Sequence, residues 1–98
     1  MTLLNLVKMR CGIPESITAY DNAEIIPLIE DCIADMRGGG VQNKLLPDST
    51  DAENTDSRVV TAIALYVLAH HGQDRSDTDK YLDLYHRRVF KLSLEPEE

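Results

Sequence analysis

The chain has 98 residues, enough for one domain with one modest core that buries roughly 60 to 70% of the unfolded surface. An apolar content of 43% and a charged content of 28% fit a globular chain and exclude a disordered one, and no run approaches the ~18 apolar residues of a membrane helix. Seventeen acidic against ten basic side chains give a net charge of −7, which opposes binding to a phosphate backbone and argues against a free DNA-binding domain.

The first element spans Thr2 to Cys11, with Thr2 as cap and Leu3, Leu6, Val7 and Arg10, flanked by Leu4 and Cys11, at three- and four-residue spacing. Gly12 should end it, and Pro14 pushes Ile13 toward an extended conformation. Met1 to Arg10 lacks the basic start, apolar centre and small-residue cleavage site of a secretory signal. The chain therefore reads as intracellular, with Cys11 and Cys32 as reduced, largely buried thiols.

A second helix is expected from Asp21, whose carboxylate and Glu24 make a capping box. Ile25, Leu28, Ile29, Cys32, Ile33 and Met36 form its apolar stripe, with Glu24, Asp31 and Asp35 along one flank. Pro27 removes a backbone donor and should bend or loosen the start, and Gly38, Gly39 and Gly40 end the helix. Residues 41–57 read as a long flexible loop, anchored by Val41, Leu45 and Leu46 and carrying Asp48, Asp51, Glu53 and Asp56; a loop of this length is either functional or merely mobile.

After a cap at Thr55 or Asp56, residues 59–69 are apolar in ten of eleven positions. Length and alanine content favour a helix over a strand, and a helix apolar on all sides belongs at the centre of the bundle. His70 and His71, followed by Gly72, supply its end. The last helix opens at a second capping box, Ser76-Asp77-Thr78-Asp79, and carries Leu82, Tyr85, Val89 and Leu92 on one stripe, flanked by Tyr81 and Phe90. Asp77, Asp79 and Asp83 near its start and Arg87, Arg88 and Lys91 near its end oppose the helix dipole. Residues 95–98 form a short acidic tail.

Candidate chemistries fall away one by one. Adjacent His70 and His71 point about 100° apart on a helix, and no CxxC, HxxxH or HExxH spacing exists, so no metal site is expected. A Cys–His nucleophile would need Cys11 or Cys32 in a cleft, whereas both occupy core positions. The three-glycine run closes a helix and is not followed by Gly-Lys-Ser/Thr, so it is no phosphate cradle. No catalytic residue and no cofactor site is expected. Arg87, Arg88 and Lys91 are the sole basic cluster, and with Tyr85 they form a candidate docking surface for an acidic protein partner. Asp48, Asp51 and Glu53 are candidates for an interaction loop.

In the order of its elements the chain resembles the small helical head-tail connector (adaptor) proteins of tailed bacteriophages and prophages. Leu3-x-x-Leu6-Val7-Lys8 followed by Gly12-Ile13 is similar to the family's first helix. Asp21 to Met36 resembles its second, Val59 to His70 its apolar central helix, and Asp74-Arg75 the polar stretch after it. Two features depart from the pattern: Pro27 within the second helix, and a longer, more acidic loop after Gly40.

The resemblance implies an all-α, four-helix single domain over residues 1–98, with a buried third helix and a long loop before it. It also implies a non-catalytic virion protein, made in the host cytoplasm, that forms a ring, usually twelve-fold, beneath the portal vertex. Its partners would be its own copies, the portal protein and a stopper or tail-completion protein, with no membrane involved. DNA would pass through the channel without specific binding, and Glu24, Asp31 and Asp35 are candidates for a carboxylate-bearing channel wall that repels phosphates. The competing reading is a small helical regulator that binds nucleic acid or another protein, which the net charge disfavours for nucleic acid.

Overall fold

A computed structural model describes residues 1–19, 21–70 and 78–94, and all statements of structure concern these residues. Four α-helices follow one another: α1 (Leu3–Arg10), α2 (Ile26–Gly38), α3 (Ser57–His70) and α4 (Thr78–Ser93). Among the described residues there is no strand, and no helix is long and apolar enough to cross a membrane. His71 and Gly72, the first half of the second capping box, Asp74-Arg75 and the acidic tail lie outside the described residues.

α1 starts as its sequence dictates. Thr2 has an extended backbone, and its hydroxyl accepts from Asn5 N at 3.3 Å. The two amides before Asn5 need other acceptors, because the first turn of a helix has no internal partner for them. The 41–56 segment supplies both: Leu3 N donates to Ala52 O at 2.9 Å and Leu4 N to Thr50 O at 3.0 Å. This loop is therefore part of the architecture. Its own Val41, Leu46 and Pro47 are buried, a 3-10 turn covers Asn43–Leu45, and Asn54 takes the left-handed conformation that asparagine tolerates.

The second helix departs from expectation at its start. Residues Asp21–Ile25 wind as a π-helical turn, and regular α-helix begins only at Ile26. Pro27 sits in the first turn of α2, where a missing N–H costs little. It cannot donate to the carbonyl four residues back, so the turn before it widens. The expected capping role of Asp21 is replaced by a different bond, described below.

The end of α2 is a Schellman motif: Val41 N reaches Met36 O at 3.1 Å and Gly40 N reaches Arg37 O at 3.3 Å. Gly40 carries the positive φ of 96° that this motif needs.

α3 is the hub and packs against each of the other three helices. Asp56 caps it, its Oδ1 accepting from Arg58 N at 2.8 Å while the Arg58 side chain folds back on the same carboxylate. That guanidinium holds the Asp56 carboxyl below its usual value. Val59, Val60, Ala62, Ile63, Ala64, Val67 and Ala69 are all buried, as a helix apolar on all sides requires. Small Ala62, Ala64 and Ala69 let neighbouring helices approach, and Thr78 at the start of α4 donates to Ala69 O at 3.1 Å.

Candidate functional site

On α4 the stripe of Tyr85, Val89 and Leu92 is buried, and this overturns two expectations. Tyr85, proposed for the docking surface, has no exposed area: it belongs to the core, and its ring meets Tyr66 edge-on at 5.2 Å. Its hydroxyl donates to Asp35 Oδ2 at 2.7 Å, joining α4 to α2. Phe90, expected to flank the core, is 65% exposed. At 100° per residue it stands about 130° round the helix from the buried stripe, too far to fold back.

The outer face of α4 thus presents Phe90 and, one turn on, Leu94 at 66% exposure, beside Arg87, Arg88 and Lys91, all three exposed. Arg87 pairs with Asp83 at 3.0 Å across one turn, a surface pair of small energetic weight. Phe90 and Leu94 therefore set exposed apolar area beside the three cations at the C-terminal end of α4. The basic residues were legible as a patch; the aromatic residue that belongs with them is Phe90, not Tyr85.

The acids of α2 divide. Asp31 and Asp35 are exposed and Glu24 is half-buried in the π-turn. One oxygen of Asp35 is already engaged by Tyr85, which anchors that carboxylate at the surface. In the loop, Asp48, Asp51 and Glu53 are all exposed, and Glu53 Oε1 lies 3.4 Å from the amino group of Met1.

A charged residue that sequence reasoning passed over lies at the base of α1. Lys8 is 1% exposed. Its ammonium donates to Ile17 O at 2.7 Å and Glu15 O at 3.2 Å, and sits 3.1 and 3.2 Å from the two carboxylate oxygens of Asp21. All three donors are used, so one lysine ties the 12–19 connection and the π-turn to α1.

Neither thiol is built for catalysis. Burial pushes the Cys11 thiol up to about 11 and the Cys32 thiol up to about 12, the reverse of what a nucleophile needs. Cys11 Sγ faces Ala64 O at 3.6 Å, and Cys32 is wholly buried beside Tyr85. At pH 8 such shifts lower the thiolate fraction by about a hundredfold for Cys11 and about a thousandfold for Cys32. A colorimetric thiol reagent should accordingly leave native Cys32 untouched over hours, modify Cys11 slowly, and react with both at once in denaturant. Rapid labelling of Cys32 in the folded chain would refute the burial described. His70 packs against Tyr66 with the rings tilted by 54° at a centroid distance of 4.6 Å. Among the described residues, no three His, Cys, Asp or Glu side chains gather where a metal ion could bind.

With a basic-apolar face on an acidic chain, the comparison with known families decides the class. The family model described as phage connector protein matches residues 3–98, nearly the whole chain. The chain belongs to the phage connector protein family. No curated protein and no solved structure matches it. As a phage connector protein it is a structural component of the virion neck, acting through contacts with other virion proteins.

Proposed function

We propose that this connector assembles as a ring beneath the portal vertex, binds the portal on one side and a stopper or tail-completion protein on the other, and lines the channel through which DNA passes. The observation that carries the reading is the exposed Phe90–Leu94 pair amid Arg87, Arg88 and Lys91 on a chain of net charge −7. Such a surface suits an acidic protein partner, with apolar area supplying affinity and the cations supplying orientation and rate of encounter.

The carboxylates suit the channel. Asp31 and Asp35, with Glu24, or else Asp48, Asp51 and Glu53, would face the lumen and repel passing phosphates, so that DNA slides without sticking. A DNA-binding regulator would need the opposite balance of charge.

Light scattering across a concentration series, with the chain alone and mixed with its portal protein, tests the reading. The expected result is a ring-sized species or co-migration with the portal. A monomer at every concentration that ignores the portal would overturn it.

A further inference from the structure

The α4 ridge has a counterpart elsewhere on the molecule. Ile26, Ile33 and Pro47 form the floor of a groove of about 250 Å³ between α2 and the turn at residues 47–50. Glu30 and Asp48, both exposed, stand on its walls. Arg37 also lines it, and its Nε donates to Asn43 Oδ1 at 3.0 Å. A groove of this size is below the roughly 300 Å³ at which small-molecule sites begin, but it has room for one large side chain.

Ridge and groove match in kind: exposed apolar side chains flanked by cations on one, an apolar floor flanked by carboxylates on the other. They cannot meet within one chain. Ile26, Glu30, Ile33 and Arg37 recur at three- and four-residue spacing on one flank of α2, whereas Asp35, which holds α4 through Tyr85, lies roughly opposite. The two patches therefore sit on different sides of the molecule. A contact between unlike patches of identical chains is head-to-tail, the type that closes into a ring.

We propose that Phe90 of one copy seats in the α2–loop groove of the next, with Arg87 and Lys91 facing Glu30 and Asp48 across the contact. The inference rests on the ring reading and names its interface. It also gives the long acidic loop a use, since Pro47 and Asp48 line the groove.

Two variants and their mixture test it. Phe90→Asp removes the ridge, and the double change Glu30→Lys with Asp48→Lys reverses the groove; all three replace exposed side chains, and an unchanged urea midpoint verifies that each variant folds. Each should weaken self-association at least about 30-fold, as loss of an interface anchor or apposition of like charges does. Mixed in equal amounts, the two retain one intact ridge and one intact groove, so a one-to-one heterodimer should form and nothing larger. A photo-crosslinker at position 90 should label residues 26–37 or 47–50 of a second copy.

If both variants assemble like the parent chain, or the crosslink lands elsewhere on a second copy, the interface is wrong and the ring reading stands. If the variants are monomeric but their mixture forms no heterodimer, the contact is not head-to-tail and the proposal fails. Crosslinking to the portal alone would likewise assign the ridge to that partner and overturn it. A parent chain that stays monomeric alone and with the portal removes the ring reading and this interface together.

Discussion

Replacing Lys8 with methionine should destabilise the chain by about 3 kcal/mol, near the lower end of the range for removing one partner of a buried ion pair. Methionine keeps most of the apolar stem, so the loss isolates the ammonium. Three acceptors would be stranded: the Glu15 and Ile17 carbonyls and the Asp21 carboxylate. Asp21 retains 14% side-chain exposure, so water can relieve part of the penalty, which is why the lower end is expected. Against a total stability of about 5–15 kcal/mol, such a change is a large fraction. It should appear as a lower urea midpoint with an unchanged slope, and amides of residues 13–25 should lose hydrogen-exchange protection before those of α3. A double variant, Lys8→Met with Asp21→Asn, should recover part of the loss, because the uncompensated carboxylate is gone. A cost below about 1 kcal/mol for Lys8→Met would mean that water already reaches the ammonium and that the cluster is ornamental.

Lys8 also shows where a sequence is readable and where it is not. It stands four residues after Leu4 and three before Cys11, in line with a half-buried apolar stripe, so its position signalled burial even though its charge suggested solvent. What it bonds was not readable, since two of its three acceptors are backbone carbonyls whose place depends on the path of the 12–19 connection. The same holds at the start of α1, where Thr50 and Ala52 supply carbonyls to Leu3 and Leu4. Side-chain chemistry at those loop positions says nothing about it. Asp21 was read as a cap from local pattern, and a tertiary partner claimed its carboxylate instead.

The first three helices were legible because each is bounded by a residue whose backbone preference is strong, and α4 was legible from its apolar stripe. Thr2 and Asp56 cap, Gly12 and Gly40 take positive φ, and Pro27 marks the first turn of α2. On α4 the angular positions of Tyr85 and Phe90 were also available, and they place the first inward and the second outward. The stripe spacing already placed Tyr85 in the core, and assigning it to the docking surface as well ran against that spacing. The candidate docking surface was thus legible in its cations, and its apolar centre emerged once helix geometry was applied residue by residue. The 41–56 segment was the least readable part, since it is held by backbone bonds and by Val41, Leu46 and Pro47 packed without a period.

Truncating Tyr85 to alanine should cost about 3–5 kcal/mol, whereas Tyr85→Phe should cost only about 1 kcal/mol. The difference follows from what each leaves behind. Alanine opens a cavity where a fully buried ring meets Tyr66 and Cys32, at the junction of α2, α3 and α4. Phenylalanine keeps the packing and deletes one hydrogen bond, and its former acceptor Asp35 is exposed enough for water to take over. A second readout separates the hydroxyl from the ring. Burial, reinforced by Cys32 and Asp35, raises the Tyr85 phenol far above its ordinary value. In the unfolded chain it ionises near pH 10, so above that pH the unfolded state binds fewer protons and stability falls as pH rises. The contribution is complete below about pH 10 and is lost progressively above it. Cys11 and Cys32 act with the same sign from their ordinary value of 9.0 upward, because burial raises both. Urea midpoints measured at pH 8 and at pH 10.5 should therefore drop steeply for the parent chain and less steeply for Tyr85→Phe, the remaining slope coming from the thiols and from Tyr66, whose phenol is raised as well. Equal alkaline losses in the two proteins would mean that Tyr85 ionises in place, and that its hydroxyl is not sealed in the core.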